Sequence, residues 1–547
     1  MDHGHAVLHT LTPAIILLGL GILAALASIA LRLSPIVGYL VLGAGLAAAG
    51  FRETFEGPMV DALAEAGVMF LLFNLGLHFS LSRIRAEAGA IFGFGSLQMA
   101  VTGGGFALIG WLLGLPPAAA VLCGLALGLS STAVVIGLLR ERDQEDCPVG
   151  RAGQAILIFQ DIAAILLLVA AGALGGAGPL LPALGVAGLK AVAAFGVAVL
   201  FARYLTRPMF ALVTRASSGE VYTATALFLA LAAGWATGAM GLSLTLGAFL
   251  GGVAIAESRY RILIQSELEA FRGLFLGFFF MVVGLSLDIG VLRESWSTVL
   301  LVTVALILVK SGLNIVAALV NRWSVPGSIQ LGFLLGQGSE FALVLFAVPA
   351  VAALLGAETV AILVAAIAAS LTVTPAFSEL GRRLAGKLRR GPADEKLRED
   401  DALVVIFGMS GTGRAVADAL EQGGVGYLAV EADRHRFERA LADGYRVLFA
   451  PLGDPRSWPS LALERRQAVV VSPERMERAH ELGPLVAERH PHLDRFIVAE
   501  DDADLAQLRQ DGSQPFDMSR ADGEEALIAA LLSSLGVVRE ERDSVAA

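Results

Sequence analysis

About thirteen stretches of this chain are apolar over a length that crosses a bilayer, near residues 11–31, 35–50, 62–79, 89–113, 117–139, 150–174, 182–206, 221–238, 242–256, 271–289, 298–320, 328–353 and 357–377. Hydrocarbon offers no partner for a peptide group, so such a chain folds as a helical bundle that satisfies its own backbone. Composition agrees, with 56% hydrophobic residues, 16% charged residues and a mean hydropathy of +0.71. Beyond about residue 380 the composition becomes that of a soluble domain and carries most of the acidic surplus. No basic segment precedes the first span and no A-x-A-like site follows it, so that span reads as a retained helix and MDHGHAVLH as a solvated tail. The two cysteines, Cys123 and Cys147, match no disulfide framework or metal spacing. Several spans are short and rich in Gly and Ala, which suits close helix packing.

With an odd number of spans and a cytoplasmic tail, the N-terminus lies outside, in the periplasm of a bacterial inner membrane. Alternate loops should then be basic. Arg32, Arg83, Arg85, Arg140, Arg142, Arg151, Arg203, Arg207, Arg215, Arg259, Arg261, Arg272 and Arg322 fall on the expected inner side, and Arg52, Lys190 and Arg293 at or near the outer side. Thirteen also divides as six, one and six, the layout of an inverted-repeat transporter. The fifth span of each half contains GLALGLSSTAVVIGLL or GFLLGQGSEFALVLF. Polar residues and glycines at membrane depth predict two broken helices around a midplane site.

Within ILIFQDIAAILLLV, residues 156–169, Gln160 and Asp161 interrupt an apolar run. A charge at that depth persists where it meets a cavity, a partner or a transported ion. One carboxyl group can hold a proton or a metal cation in turn; Gln160 stands beside it in the expected ion-binding set, neutral, able to donate or accept but not to titrate. Lys310 is one of only four lysines among 40 basic residues, and two readings stay open for it: a titratable group, or a permanent counter-ion of Asp161. Glu340 lies in the second break, where a carboxylate offsets the positive end of a half-helix or binds an ion. Ser130, Ser131 and Thr132 supply hard oxygen ligands, or helix contacts, at the first break. Asn74 and His78 share a helix face, with packing the expected role.

Residues 381–400 read as a charged linker between a transmembrane domain, 1–380, and a Rossmann-like α/β domain, 401–547. DALVVIFGMSGTGRAVADALEQGGVGYLAVEADRHR reads as strand, glycine turn, helix, strand and acidic residue, with further strands near 446–450, 467–471 and 495–499. Gly408, Ser410 and Gly413 occupy the G-x-G-x-x-G positions, with Gly411 and Arg414 beside them and Glu431 placed for ribose hydroxyls. The expected ligand is an adenine nucleotide, NAD(H) or AMP/ATP, in a regulatory role.

PIVGYLVLGAGL, LGLSSTAVV, ILIFQDIAAI, LSLTLGAFLGG, FFFMVVGLSLD and GQGSEFALVLF resemble successive motifs of the monovalent cation:proton antiporter 2 family. The branch resembles the Kef-type potassium efflux systems, GLHFS is similar to their YbaL-like relatives, and the tail resembles their RCK (KTN) domain. The resemblance implies a homodimeric potassium:proton antiporter in which crossed broken helices surround Ser131 and Gly338, the ion-binding carboxylate is Asp161, and Lys310 is the core-helix lysine. It implies nucleotide binding at Gly408, Gly413 and Glu431. Where glutathione-gated members carry HALEADI, residues 262–268 read ILIQSEL, so glutathione gating is not expected.

The expected function is therefore exchange of a monovalent cation, K+ or Na+, for H+ at Asp161, electroneutral because one carboxylate stands beside a neutral amide. Membrane lipids and an ancillary regulatory subunit are further expected partners, and nucleic acid is not one. The rival readings are a ligand-gated cation channel, which lacks a TVGYG-like filter here, and a membrane-bound nicotinamide-dependent enzyme, for which no acid-base pair is found.

Overall fold

The computed structural model describes residues 2–31, 33–78, 84–85, 87–174, 219–239, 244–256, 261–389, 402–451, 458, 461–472, 476–499, 502–510, 513–518, 520 and 522–537. Apart from the short helices Arg52–Phe55, Gly89–Gly95 and Ile289–Glu294, the described helices before the tail are α1 (Asp2–Ala30), α2 (Pro35–Ala48), α3 (Pro58–His78), α4 (Ser96–Leu112), α5 (Pro117–Gly128), α6 (Thr132–Glu141), α7 (Pro148–Leu174), α8 (Gly219–Ala239), α9 (Leu244–Ala256), α10 (Arg261–Ser286), α11 (Trp296–Val320), α12 (Val325–Leu334), α13 (Glu340–Phe346), α14 (Pro349–Leu355) and α15 (Ala357–Arg389). Among the described residues, eight spans are long and apolar enough to cross a membrane, the α5–α6 pair counting as one, and a ninth if bent α10 is included. Pro35–Ala48, Gly247–Ala256 and Val325–Leu334 are shorter apolar helices. The expected span near 182–206 lies outside the described residues.

The chain divides into two compact units. One comprises residues 1–134, 156–313 and 336–374, and the other 135–155, 314–335 and 375–547. In the first, α3 packs on α9 and α10, and α2 on α10. The α2–α10 contact is glycine on glycine: a Cβ on Gly43 would meet the Met281 carbonyl at 2.1 Å, and one on Gly284 the Leu40 carbonyl at 2.4 Å. Small residues here let two backbones touch, as the Gly/Ala content predicts.

Both expected helix breaks are present. Leu129 leaves α5 in extended backbone, and α6 starts at Thr132. The expected run 328–353 divides into α12, α13 and α14, with Pro349 opening α14 where its missing N–H costs nothing.

The second unit contains a six-stranded parallel sheet in the order β3-β2-β1-β4-β5-β6, with β1 Val404–Phe407, β2 Tyr427–Glu431, β3 Val447–Phe449, β4 Ala468–Val471, β5 Asp494–Ala499 and β6 Gln514–Asp517. The connecting helices are α16 (Gly411–Gln422), α17 (Arg434–Ala442), α18 (Met476–Arg489), α19 (Asp502–Gln510) and α20 (Gly523–Ser534). VVIF and AVVV are buried along their whole length, as strands covered on both faces must be. The order places the switch point between β1 and β4, beside the glycine turn that follows β1.

Two features depart from a linear division of the chain. The last membrane helix, α15, continues to Arg389, nine residues into the stretch expected as a linker from 381, because RRLAGKLRR holds no proline and its single glycine, Gly386, is tolerated inside a helix. The unit that contains the sheet also contains 135–155 and 314–335, which lie within the membrane part of the sequence. Polar contacts tie residues 135–155 and the end of α15 to the rest of this unit. Arg142 donates to the Ser378 hydroxyl at 2.9 Å, Arg151 pairs with Glu524 at 2.7 Å, and Arg389 pairs with Asp418 at 2.8 Å while lying over the Tyr445 ring.

Candidate functional site at the two helix breaks

A broken helix leaves carbonyls unsatisfied at the C-terminal end of one half and amides unsatisfied at the N-terminal end of the next. Lys310, fully buried on α11, answers the first need at both breaks at once. Its Nζ donates to the Leu129 carbonyl, just past α5, and to the Gln337 carbonyl at 2.8 Å, just past α12. Of the two readings left open for Lys310, a counter-ion against Asp161 is not what the geometry shows. An amine on two helix C-terminal ends sits where the helix dipoles favour positive charge.

The carboxylates answer the second need. Asp161 on α7 accepts a hydrogen bond at 3.1 Å from the hydroxyl of Thr132, the first residue of α6. Glu340, the first residue of α13, accepts from the Ser131 hydroxyl and from the Ala133 amide at the start of α6. Ser339 caps α13 itself, its hydroxyl accepting from the Phe341 amide at 3.1 Å. Carboxyl groups thus stand at the half-helix N-terminal ends, and an amine at the two C-terminal ends.

Gln160 belongs to the frame. Its Oε1 accepts from the Ser130 amide at 2.7 Å, and its Nε2 donates to the Gln98 Oε1 at 2.9 Å and toward the Gly128 carbonyl at 3.3 Å. The expected residues Ser130, Ser131, Thr132, Gln160, Asp161, Lys310 and Glu340 are therefore brought together, and Asp161 is only 8% exposed. Asn74 is buried on α3, and the side chain of His78 lies outside the described residues.

Gln98 was not singled out in the sequence. Its Nε2 donates to the Thr102 hydroxyl at 3.0 Å, and this polar pair four apart in SLQMAVTGG is the signal that would have found it. Ser370, which accepts from the Gly338 amide at 3.0 Å, and Gln337 were also missed. Both amide atoms of Gln337 and Oε2 of Glu340 are buried without a hydrogen-bond partner among the described residues. Buried polar atoms are ordinarily paired, with protein, water or an ion. Replacing Gln160 with Leu should lower unfolding stability by about 1–3 kcal/mol, since it strands the Ser130 amide. A thermal shift matching that of a neutral surface substitution would contradict this role.

In the tail, Gly408 turns the chain at φ +97° after β1. The Ser410 hydroxyl bonds that of Ser472 at 2.7 Å and lies 3.4 Å from the Gly413 amide, capping α16. Glu431 ends β2 as expected, but its carboxylate is turned onto the chain, accepting at 2.8 Å from the amides of Met409, Ala432 and Asp433. Ribose hydroxyls would share that carboxylate with the turn it staples. Arg414 points away from such a cradle: it is buried and pairs with Asp443 at 3.1 Å, because α16 directs the fourth residue of its first turn inward.

Residues 15–379 match the family described as sodium/hydrogen exchanger, transmembrane. The chain belongs to that family. Residues 404–515 match the TrkA-N domain, a nucleotide-binding regulatory domain, so the membrane part and tail together place the chain in the Kef-type branch. Glutathione-regulated potassium-efflux system protein KefC of Salmonella schwarzengrund (strain CVM19633) is 34% identical over 533 residues, covering 95% of this chain and 85% of that protein. KefC of Salmonella typhimurium (strain LT2) matches at the same identity and coverage. The solved sodium proton antiporter MjNhaP1 of Methanocaldococcus jannaschii superposes with a TM-score of 0.50 at 17% identity, covering 71% of this chain and 100% of its own, a likeness of fold. These relatives are transporters rather than enzymes.

Proposed function

We propose that this cation:proton antiporter exchanges a monovalent cation, potassium first, for a proton at Asp161. The observation that carries the reading is a buried carboxylate held at the end of a broken helix, in a cluster where Gln337 and Glu340 keep polar atoms unpaired among the described residues. A carboxylate in such a place is neutralised by one proton or by one cation, and the two exclude each other. Thr132 and the backbone oxygens at the breaks are the hard ligands that suit an alkali cation, which here is cargo. Gln160 contributes no charge, so each cycle moves one cation against one proton. The N-terminus lies outside, the tail lies in the cytoplasm, and two copies form a homodimer. An adenine nucleotide on the TrkA-N domain tunes the rate.

Proteoliposomes loaded with potassium, sodium or lithium under imposed pH gradients test the reading. Cation-driven proton movement with potassium is expected, and its absence with all three ions would overturn it. On a solid-supported membrane, steady exchange should move no net charge, and a sustained current would refute the one-for-one stoichiometry.

A further inference from the structure

The loop between α6 and α7, residues 142–147, joins the helix that begins at Thr132 to the helix that carries Asp161. It lies in the same compact unit as the sheet, and its contacts there are specific. The Gln144 amide donates to Asp443 Oδ2 at 2.9 Å, and that buried carboxylate also takes Arg414 and Arg382, each at 3.1 Å. Asp143, at φ +50°, pairs with Arg439 of α17 at 2.5 Å. Cys147 is buried within electrostatic reach of Arg414 and Asp443, its thiol donating to the Gln144 carbonyl at 3.0 Å, and burial pushes that thiol's pKa up.

The contact with the glycine turn is the most telling. A Cβ built on Gly411 would stand 2.2 Å from the Asp146 carbonyl, so the place of a side chain at the first residue of α16 is filled by the backbone of the loop. This is the end of the helix on which a Rossmann-type domain takes a nucleotide's phosphates.

We infer that the α6–α7 loop is the docking surface through which the tail domain sets the exchange rate, and that the loop and a nucleotide's phosphates exclude one another at Gly411. Filling the turn releases the loop, and with it the inner ends of the two helices that bear Thr132 and Asp161. A ligand shifts a transporter only if it binds one arrangement better than the other, and mutual exclusion supplies that difference. The inference rests on the antiport reading above for its functional half and on geometry alone for the docking.

The test uses the full-length protein in a Cys123→Ser background, with Cys147 as reporter. Gly411→Leu needs the space that the Asp146 carbonyl holds, and Gln144→Ala removes one bond to Asp443 with little risk to folding. Without nucleotide, both variants should raise the rate at which a maleimide labels Cys147, Gly411→Leu the more. Gly411→Leu should also change the cation:proton exchange rate by roughly 2- to 30-fold, the span of coupling effects of this kind. AMP or NADH, whichever calorimetry shows to bind, should raise Cys147 labelling in the otherwise unaltered protein.

Cys147 labelling that is unchanged in both variants would overturn the docking. Faster labelling with an unchanged exchange rate would overturn the coupling. A bound nucleotide that leaves Cys147 protected would overturn the exclusion. If the parent protein exchanges no cation for protons, the antiport reading fails on its own ground, while labelling in Gly411→Leu still decides whether the loop is seated.

Discussion

Changing Asp161 to Asn abolishes cation:proton exchange while leaving the protein folded. The amide keeps the shape of the carboxyl and can still accept the Thr132 hydrogen bond, 3.1 Å long in the native protein. It cannot ionise, so it binds neither a proton nor a cation with charge compensation. The expected loss is complete within the background of empty liposomes, and unfolding temperature should fall little because removing a buried charge relieves desolvation. Exchange measured beside a thermal melt separates the two effects. An active Asp161→Asn protein would move the site elsewhere, and a collapsed one would make Asp161 a structural residue.

The second large effect is the reverse: Lys310→Met should cost stability before it costs chemistry. Lys310 holds the two breaks together through the Leu129 and Gln337 carbonyls. Methionine fills the volume but donates nothing, leaving two buried carbonyls without a partner, at about 1–3 kcal/mol each. A loss of about 2–6 kcal/mol of unfolding free energy in detergent is therefore expected. Lys310→Arg does not rescue it, since the position is fully buried and a planar fork is larger than an ammonium. Wild-type stability in Lys310→Met would show that the breaks need no bridge. A stable protein with exchange abolished would favour the titratable reading instead.

The helical membrane part, the two breaks and the glycine turn were legible because each leaves a one-dimensional mark: long apolar runs, a polar interruption, a fixed glycine spacing. Asp161, Thr132 and Glu340 were legible as chemistry out of place. Other features depend on partners distant in sequence. Nothing near Lys310 says that its amine bridges residues 129 and 337, and nothing near Arg414 says that Asp443 holds it. β6, Gln514–Asp517, was not foreseen because QPFD carries a proline and almost no apolar run, as only an edge strand tolerates. The seating of Gly411 against Asp146 is invisible for the same reason: the sequence shows a glycine, and only the fold shows what occupies the space it leaves.

At the centre of the account, one buried carboxyl group is shared in turn by two cations of different kinds. The apparent KM for potassium, measured in proteoliposomes across a series of symmetrical pH values, tests that sharing directly. Competition for Asp161 predicts that, below the pKa of the site, KM rises by about tenfold for each unit the pH falls, while the rate at saturating potassium holds steady. A KM that stays flat across the series while the maximal rate declines would show that the proton acts at a separate group, and would contradict the exchange site proposed here.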